Sequence, residues 1–222
     1  MVVRRIAPIT AVLTLALIAC SDASHYSQAV AVLIDISGTY ADQKAEVARI
    51  VKREVLPSLV PGDTIAIVRI DSESYDKANV EAFVTLDQRP SHANAQKLAL
   101  AKKLDEFAAR ADRSDYTDIP GAMMLSAEYL KETGAKSRAI LLFSDMQSDL
   151  PHHMKRSFAE HEFDGIRVIA LNVKQLERDR DNPDVLRTRL ATWGRDVTRA
   201  GAGGWTTFLD TARLGPYLAE IR

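Results

Sequence analysis

Cysteine is almost absent. The 222 residues hold a single one, Cys20, so no disulfide can form within the chain. An excess of charge is absent too: 29 Lys and Arg stand against 30 Asp and Glu, a net charge of −1. That balance gives no electrostatic case for nucleic acid, which needs a basic face. No internal repeat and no low-complexity segment interrupts the chain. The longest apolar stretch, Ile6 to Ala19, is too short to span a bilayer comfortably. What is present is 46% hydrophobic and 27% charged, a globular composition with enough material for one domain and its core.

The lone cysteine is explained by its place. Arg4 and Arg5 precede the apolar stretch, and together they read as a secretory signal to be excluded from the fold. Leu17-Ile18-Ala19-Cys20 resembles the bacterial lipobox. In such precursors the cysteine is acylated and becomes the new N-terminus. The resemblance implies a signal peptide over 1–19, a polar tether over 20–28 and one domain over 29–222. It implies a lipid-anchored protein of the bacterial cell envelope, facing the periplasm or the cell surface. Ser21, rather than Asp, follows the cysteine, which by resemblance to enteric sorting rules points to the outer membrane. An ordinary signal peptide, or an uncleaved anchor with a stray cysteine, is the plainer alternative.

The stretch Ala29 to Tyr40, AVAVLIDISGTY, organises the domain. Its apolar run reads as a strand buried on both faces, as in parallel sheets. The run stops at Asp35, and the hydroxyls of Ser37 and Thr39 follow before a helical pattern over Tyr40 to Leu59. Further strands are predicted at Thr64 to Ile70, Val80 to Leu86 at an edge, Ala139 to Phe143, Ile166 to Leu171 and Trp205 to Leu209. Helices are predicted after Pro90 with Ser91 as N-cap, at Ile119 to Glu132 closed by Gly134, at Pro151 to Glu162, around Leu186 to Val197, and at Leu214 to Ile221. Alternation of this kind predicts an α/β fold with a doubly wound, mainly parallel six-stranded sheet and helices on both faces. With strand order 3-2-1-4-5-6 the two most apolar strands become central neighbours. Each ends in a carboxylate, Asp35 and Asp145, at the switch point where such sheets bind ligands.

These residues resemble the metal site of the von Willebrand factor A family, a D-x-S-x-S motif after the first strand, a Thr in a middle loop and an Asp after the fourth strand. Asp35-Ile36-Ser37-Gly38-Thr39, Thr117 in YTDIPGAM and Asp145 in LLFSDM take those places. Two departures stand out: Thr39 replaces a Ser, and Met146 stands where a Gly is common. The resemblance implies a cation, Mg²⁺ or Mn²⁺, held by the hydroxyls of Ser37, Thr39 and Thr117 and by the carboxylates of Asp35 and Asp145. The chemistry agrees independently, because Mg²⁺ takes oxygen ligands in an octahedral cage and keeps some water. An ion held mostly by neutral hydroxyls stays electrophilic, so an Asp or Glu of a protein partner would complete its shell. The expectation is metal-dependent docking and no catalysis.

The alternatives are a metal-free structural envelope lipoprotein with Ser37, Thr39 and Asp118 as helix caps, and a phosphotransfer or phosphatase enzyme. The actin-like kinase fold needs a hairpin after DISGT, and a haloacid-dehalogenase-like phosphatase needs an acid where Ser37 stands. Asp149 reads as a cap before Pro151. His152, His153 and His161 match no zinc spacing. Gly201 to Gly204 reads as a helix stop, Trp193 and Trp205 as core, and Asp71 and Glu73 as a solvated loop. Lys174 to Asp184 reads as a solvated charged insertion or a helical extension.

Overall fold

The computed structural model describes residues 27–38, 40–174 and 176–222. The expected signal peptide, Cys20 and nearly all of the tether lie outside the described residues, as does Thr39. Among the described residues no helix is long and apolar enough to cross a membrane.

Six strands form one sheet: β1 (Gln28–Asp35), β2 (Thr64–Ile70), β3 (Val80–Thr85), β4 (Ser137–Phe143), β5 (Ile166–Leu171) and β6 (Gly204–Phe208). Their order is β3-β2-β1-β4-β5-β6. All neighbours are parallel except β2 and β3, which pair antiparallel at the edge. Every residue of β1 is buried, which is why its sequence reads as a continuous apolar run.

Successive β1 side chains alternate between two apolar layers. Val30, Val32 and Ile34 join residues of α1 (Lys44–Ile50), the π-helical turn Val51–Val55, the short α2 (Leu56–Ser58) and α3 (Pro90–Ala109). Ala29, Ala31 and Leu33 join residues of α4 (Ile119–Glu132). A short α5 (Glu177–Asp181) leads into α6 (Pro183–Arg199), whose Val197 belongs to the second layer. The closing α7 (Leu214–Glu220) returns Leu214 and Leu218 to the first.

The predicted strand order, the β3 edge and most helices are as expected. Four local expectations fail. Pro151 to Glu162 is irregular chain and turns, not a helix, because its side chains serve tertiary contacts. Arg156 pairs with the buried Asp118, and Phe158 stacks edge-on against Phe163 with centroids 4.7 Å apart. Asp149 therefore caps nothing and instead forms a two-way backbone bridge with Thr117. Ser91 lies inside α3, whose N-cap position is Arg89 with Pro90 in the first turn, a place Pro suits because it lacks an N–H. The insertion Lys174 to Asp184 is helical over Glu177–Asp181, as the second of its two readings expected, yet its Asp179 is not solvated: it is buried and paired with Arg189.

The core makes a direct prediction. Leu141 pairs with Val32 on one side and Ile169 on the other and is fully buried. Leu141→Ala is expected to cost about 2–5 kcal/mol in urea unfolding. Leu98→Ala, at a side chain 73% exposed, is expected to change stability by less than about 0.5 kcal/mol.

Candidate functional site

Register builds the site. Ile34 pairs with Phe143 across β1 and β4, so the next residues, Asp35 and Ser144, meet at the carboxyl ends of the two central strands. Ser144 Oγ donates to Asp35 Oδ2 at 2.7 Å, and the Ser37 N–H donates to Asp35 Oδ1 at 2.8 Å. Asp35 is fully buried; Ser37, Thr117 and Asp145 are nearly so, at 6%, 5% and 3% exposure.

The loop after β4 is tied back on itself. The Gln147 N–H donates to Asp145 Oδ1 at 2.8 Å, and the Met146 N–H donates to Ser144 Oγ at 3.0 Å. Met146 takes φ 61°, a left-handed backbone that costs a non-glycine residue roughly 1–2 kcal/mol. Two contacts offset that cost: its side chain is fully buried, and its carbonyl accepts from Trp193 Nε1 at 2.8 Å. The Met thus follows a glycine-like path.

Thr117 is carried to the same edge by the segment before α4. Its backbone bridges Asp149, four residues beyond Asp145, at 2.7 and 3.0 Å, and its carbonyl accepts from Ser148 Oγ. Asp118 caps α4 by accepting from the Gly121 N–H at 2.8 Å and also takes the Ser74 N–H and the Arg156 guanidinium. Gly121 must be glycine here, because a Cβ would stand 2.1 Å from Asp118 Oδ2.

Ser114 joins the ring through a bridge to Ser37, its N–H donating to the Ile36 carbonyl. Lys44, almost fully buried, donates to the carbonyls of Arg110 and Asp112 and to the Asp112 carboxylate, fixing the loop that leads to Ser114.

The structure thus brings four expected residues, Asp35, Ser37, Thr117 and Asp145, to one edge of the sheet. Sequence reasoning gave no role to Ser144, Lys44 or Tyr40. Ser144 had a signal, a hydroxyl at the end of an apolar strand. Lys44 had none, being one of many lysines in a helical pattern. Tyr40 is fully buried, donates to the Asn172 carbonyl, and has its phenol pKa pushed up by burial and by the charges of Asp35 and Asp145.

The electrostatics are unfavourable as they stand. Burial pushes the Asp35 pKa up to about 6 from 3.8, with the Asp145 charge adding to the rise. Hydrogen bonds from Ser144 and Ser37 oppose it but do not cancel it. No ammonium or guanidinium is among the groups that set this value.

A carboxyl with a raised folded pKa keeps its proton longer in the folded chain than in the unfolded one. Stability is then full below about pH 4, falls as pH rises towards about 6, and is lower by about 3 kcal/mol above that. In EDTA, Asp35→Asn is expected to remove that fall and to stabilise the chain at pH 7 by about 1–3 kcal/mol. Urea midpoints of both chains across pH 4–7 check this; parallel pH profiles would contradict it.

Comparison with known proteins adds the fold. No family model and no curated sequence matches the chain. Among solved structures, the pilus adhesin SpaC of Lactobacillus rhamnosus GG, in its open conformation, is 13% identical with a TM-score of 0.50, over 88% of this chain and 29% of its own. Proximal thread matrix protein 1 of the mussel byssus is 13% identical with a TM-score of 0.50, over 89% of this chain and 47% of its own. This chain therefore spans under half the length of either. A von Willebrand factor type A structure from Catenulispora acidiphila aligns at 16% identity and a TM-score of 0.44, over 88% of this chain and 42% of its own. The likeness to the SpaC and thread matrix structures is one of fold alone, that of a mainly parallel six-stranded sheet with one antiparallel edge pair.

Proposed function

We propose that the domain binds a divalent cation, Mg²⁺ or Mn²⁺, at the ends of β1 and β4 and docks a protein partner through it. The observation that carries this reading is the fully buried Asp35 carboxylate at the carboxyl end of β1, with the nearly buried Asp145 following β4 beside it in the sheet order, its pKa raised by burial and, least of the causes, by the Asp145 charge. A cation is what that arrangement calls for. The donors fit a hard ion: two carboxylates with the hydroxyls of Ser37 and Thr117, and Thr39 as a further donor by sequence. Among the described residues no cluster of three or more His, Cys, Asp or Glu forms, so such an ion would keep much of its positive charge. A carboxylate from a partner would then be a strong ligand. The cation's chemistry here is Lewis acidity towards that carboxylate; the chain's own residues orient and bury the site.

The reading is of a binding protein. β1 is followed by a helix rather than a hairpin, unlike the actin-like kinases, and Ser37 stands where a dehalogenase-type phosphatase would place its acid. The two structures of like fold are named as a pilus adhesin and a thread matrix protein, which accords with docking. With the lipobox resemblance at Cys20 and Ser21, the proposed place is the bacterial envelope, tethered by lipid, outer membrane favoured. A metal-free structural lipoprotein is the second reading. It is favoured by one fact: both oxygens of Asp35 already accept hydrogen bonds from within the chain.

Calorimetry separates the two. Mn²⁺ titrated into EDTA-treated protein is expected to give one saturable site, lost in Asp145→Ala and in Asp35→Ala. At a hundredfold excess over the dissociation constant the cation is expected to add about 2.7 kcal/mol of stability. No binding heat in the parent chain would leave the structural reading. For the anchor, Cys20→Ala is expected to move the protein from the membrane pellet to the soluble fraction; unchanged fractionation would contradict lipidation.

A further inference from the structure

The turn that follows β1 is held at both ends. At its start the Ser37 N–H donates to Asp35 Oδ1. At its end the N–H groups of Tyr40 and Ala41 donate to the Ser37 carbonyl at 3.0 and 2.7 Å. The turn carries Ser37 and, by sequence, Thr39. Where it presents their hydroxyls depends on what holds Tyr40.

Tyr40 is fully buried in the first apolar layer, which Phe143 of β4 and Leu171 of β5 also join. Its hydroxyl donates to the Asn172 carbonyl at 3.0 Å and accepts from Asn172 Nδ2 at 3.3 Å. Asn172 follows β5, and β4 stands between β5 and β1. The phenol thus reaches from the turn after β1, past the end of β4, to the end of β5. Burial first, and then the charges of Asp35 and Asp145, push its pKa up, so it stands near both carboxylates. Its one proton goes to Asn172 rather than to them. Asn172 itself has φ 48°, a left-handed backbone that Asn tolerates better than most residues.

We propose, on the metal reading above, that Tyr40 is a positioning residue of the candidate site. Its hydroxyl, anchored on the Asn172 carbonyl, fixes the turn so that the Ser37 and Thr39 hydroxyls meet the cation. Groups that orient metal ligands in this way commonly carry about ten- to a hundredfold in metal affinity. Cation binding then depends on the backbone of Asn172, a residue that supplies no ligand atom.

The test is Mn²⁺ calorimetry on the full chain stripped with EDTA, at a temperature where circular dichroism shows every variant folded. Tyr40→Phe keeps the ring and removes the hydroxyl. It is expected to bind Mn²⁺ about ten- to a hundredfold more weakly than the parent, with a changed EPR spectrum for the bound ion. Asn172→Gly keeps the carbonyl and allows the left-handed backbone, and is expected to bind within about threefold of the parent. Asn172→Val disfavours that backbone and is expected to weaken binding as Tyr40→Phe does. A hydroxyl that serves only stability would leave the affinity and the EPR spectrum of Tyr40→Phe unchanged. That result would overturn the proposal while the metal reading stands. A parent chain that binds no Mn²⁺ would overturn both.

Discussion

The Asp35 carboxylate at the end of the central strand is the constraint on which the rest of the edge depends. It is out of water, the Asp145 charge acts on it unfavourably, and the donors that reach it are neutral: a backbone N–H and the Ser144 and Ser37 hydroxyls. An ionised group so placed is held against its own preference. The surrounding structure keeps it there because its strand is locked on both sides, to β2 and β4, in unbroken parallel register. Stability is thus given up at the edge and supplied by the two apolar layers beneath, the pattern expected where a site must be ready for a charged ligand.

The elements around Asp35 are tied by polar contacts as well as by buried side chains such as Met146. Lys44 holds the loop before Ser114, Asp118 holds the start of α4, and Trp193 holds the turn at Met146. Each tie joins a loop to a helix already anchored in a core layer. The loops at this edge are therefore irregular in conformation yet determined in position, which a multi-point binding site requires.

Much of this was legible in the chain itself. Fully apolar strands at Val30 and Ala139, each ending in Asp, implied central parallel strands and a shared crevice. Gly134 and Gly201 marked helix ends, and both adopt positive φ, 65° and 89°. Apart from Ser91, displaced by Pro90 in the first turn of α3, the misses share one cause. Local pattern does not report tertiary partners. Pro151 to Glu162 looks like a helix start, but Arg156 and Phe158 are taken up by Asp118, Phe163 and Trp193. Asp179 lies in a charged run that reads as solvated, and its burial goes with the approach of Arg189 from α6 and a bond from the Leu176 N–H, partners that the local pattern does not show. Met146 breaks the glycine rule because burial of its side chain compensates a backbone that sequence rules assign to glycine. Ser144 was visible as a strand-end hydroxyl, yet its role needed the β1–β4 register.

The central claim is that carboxylates from residues 35 and 145 converge with hydroxyls on one cation. Crystals grown with Mn²⁺ and measured at its absorption edge test it most directly. The expected result is one strong anomalous peak at the carboxyl ends of β1 and β4, within bonding distance of Asp35, Asp145, Ser37 or Thr117 oxygens or of water they hold. An anomalous map with no peak at that edge, from crystals holding Mn²⁺ well above any useful dissociation constant, would contradict it.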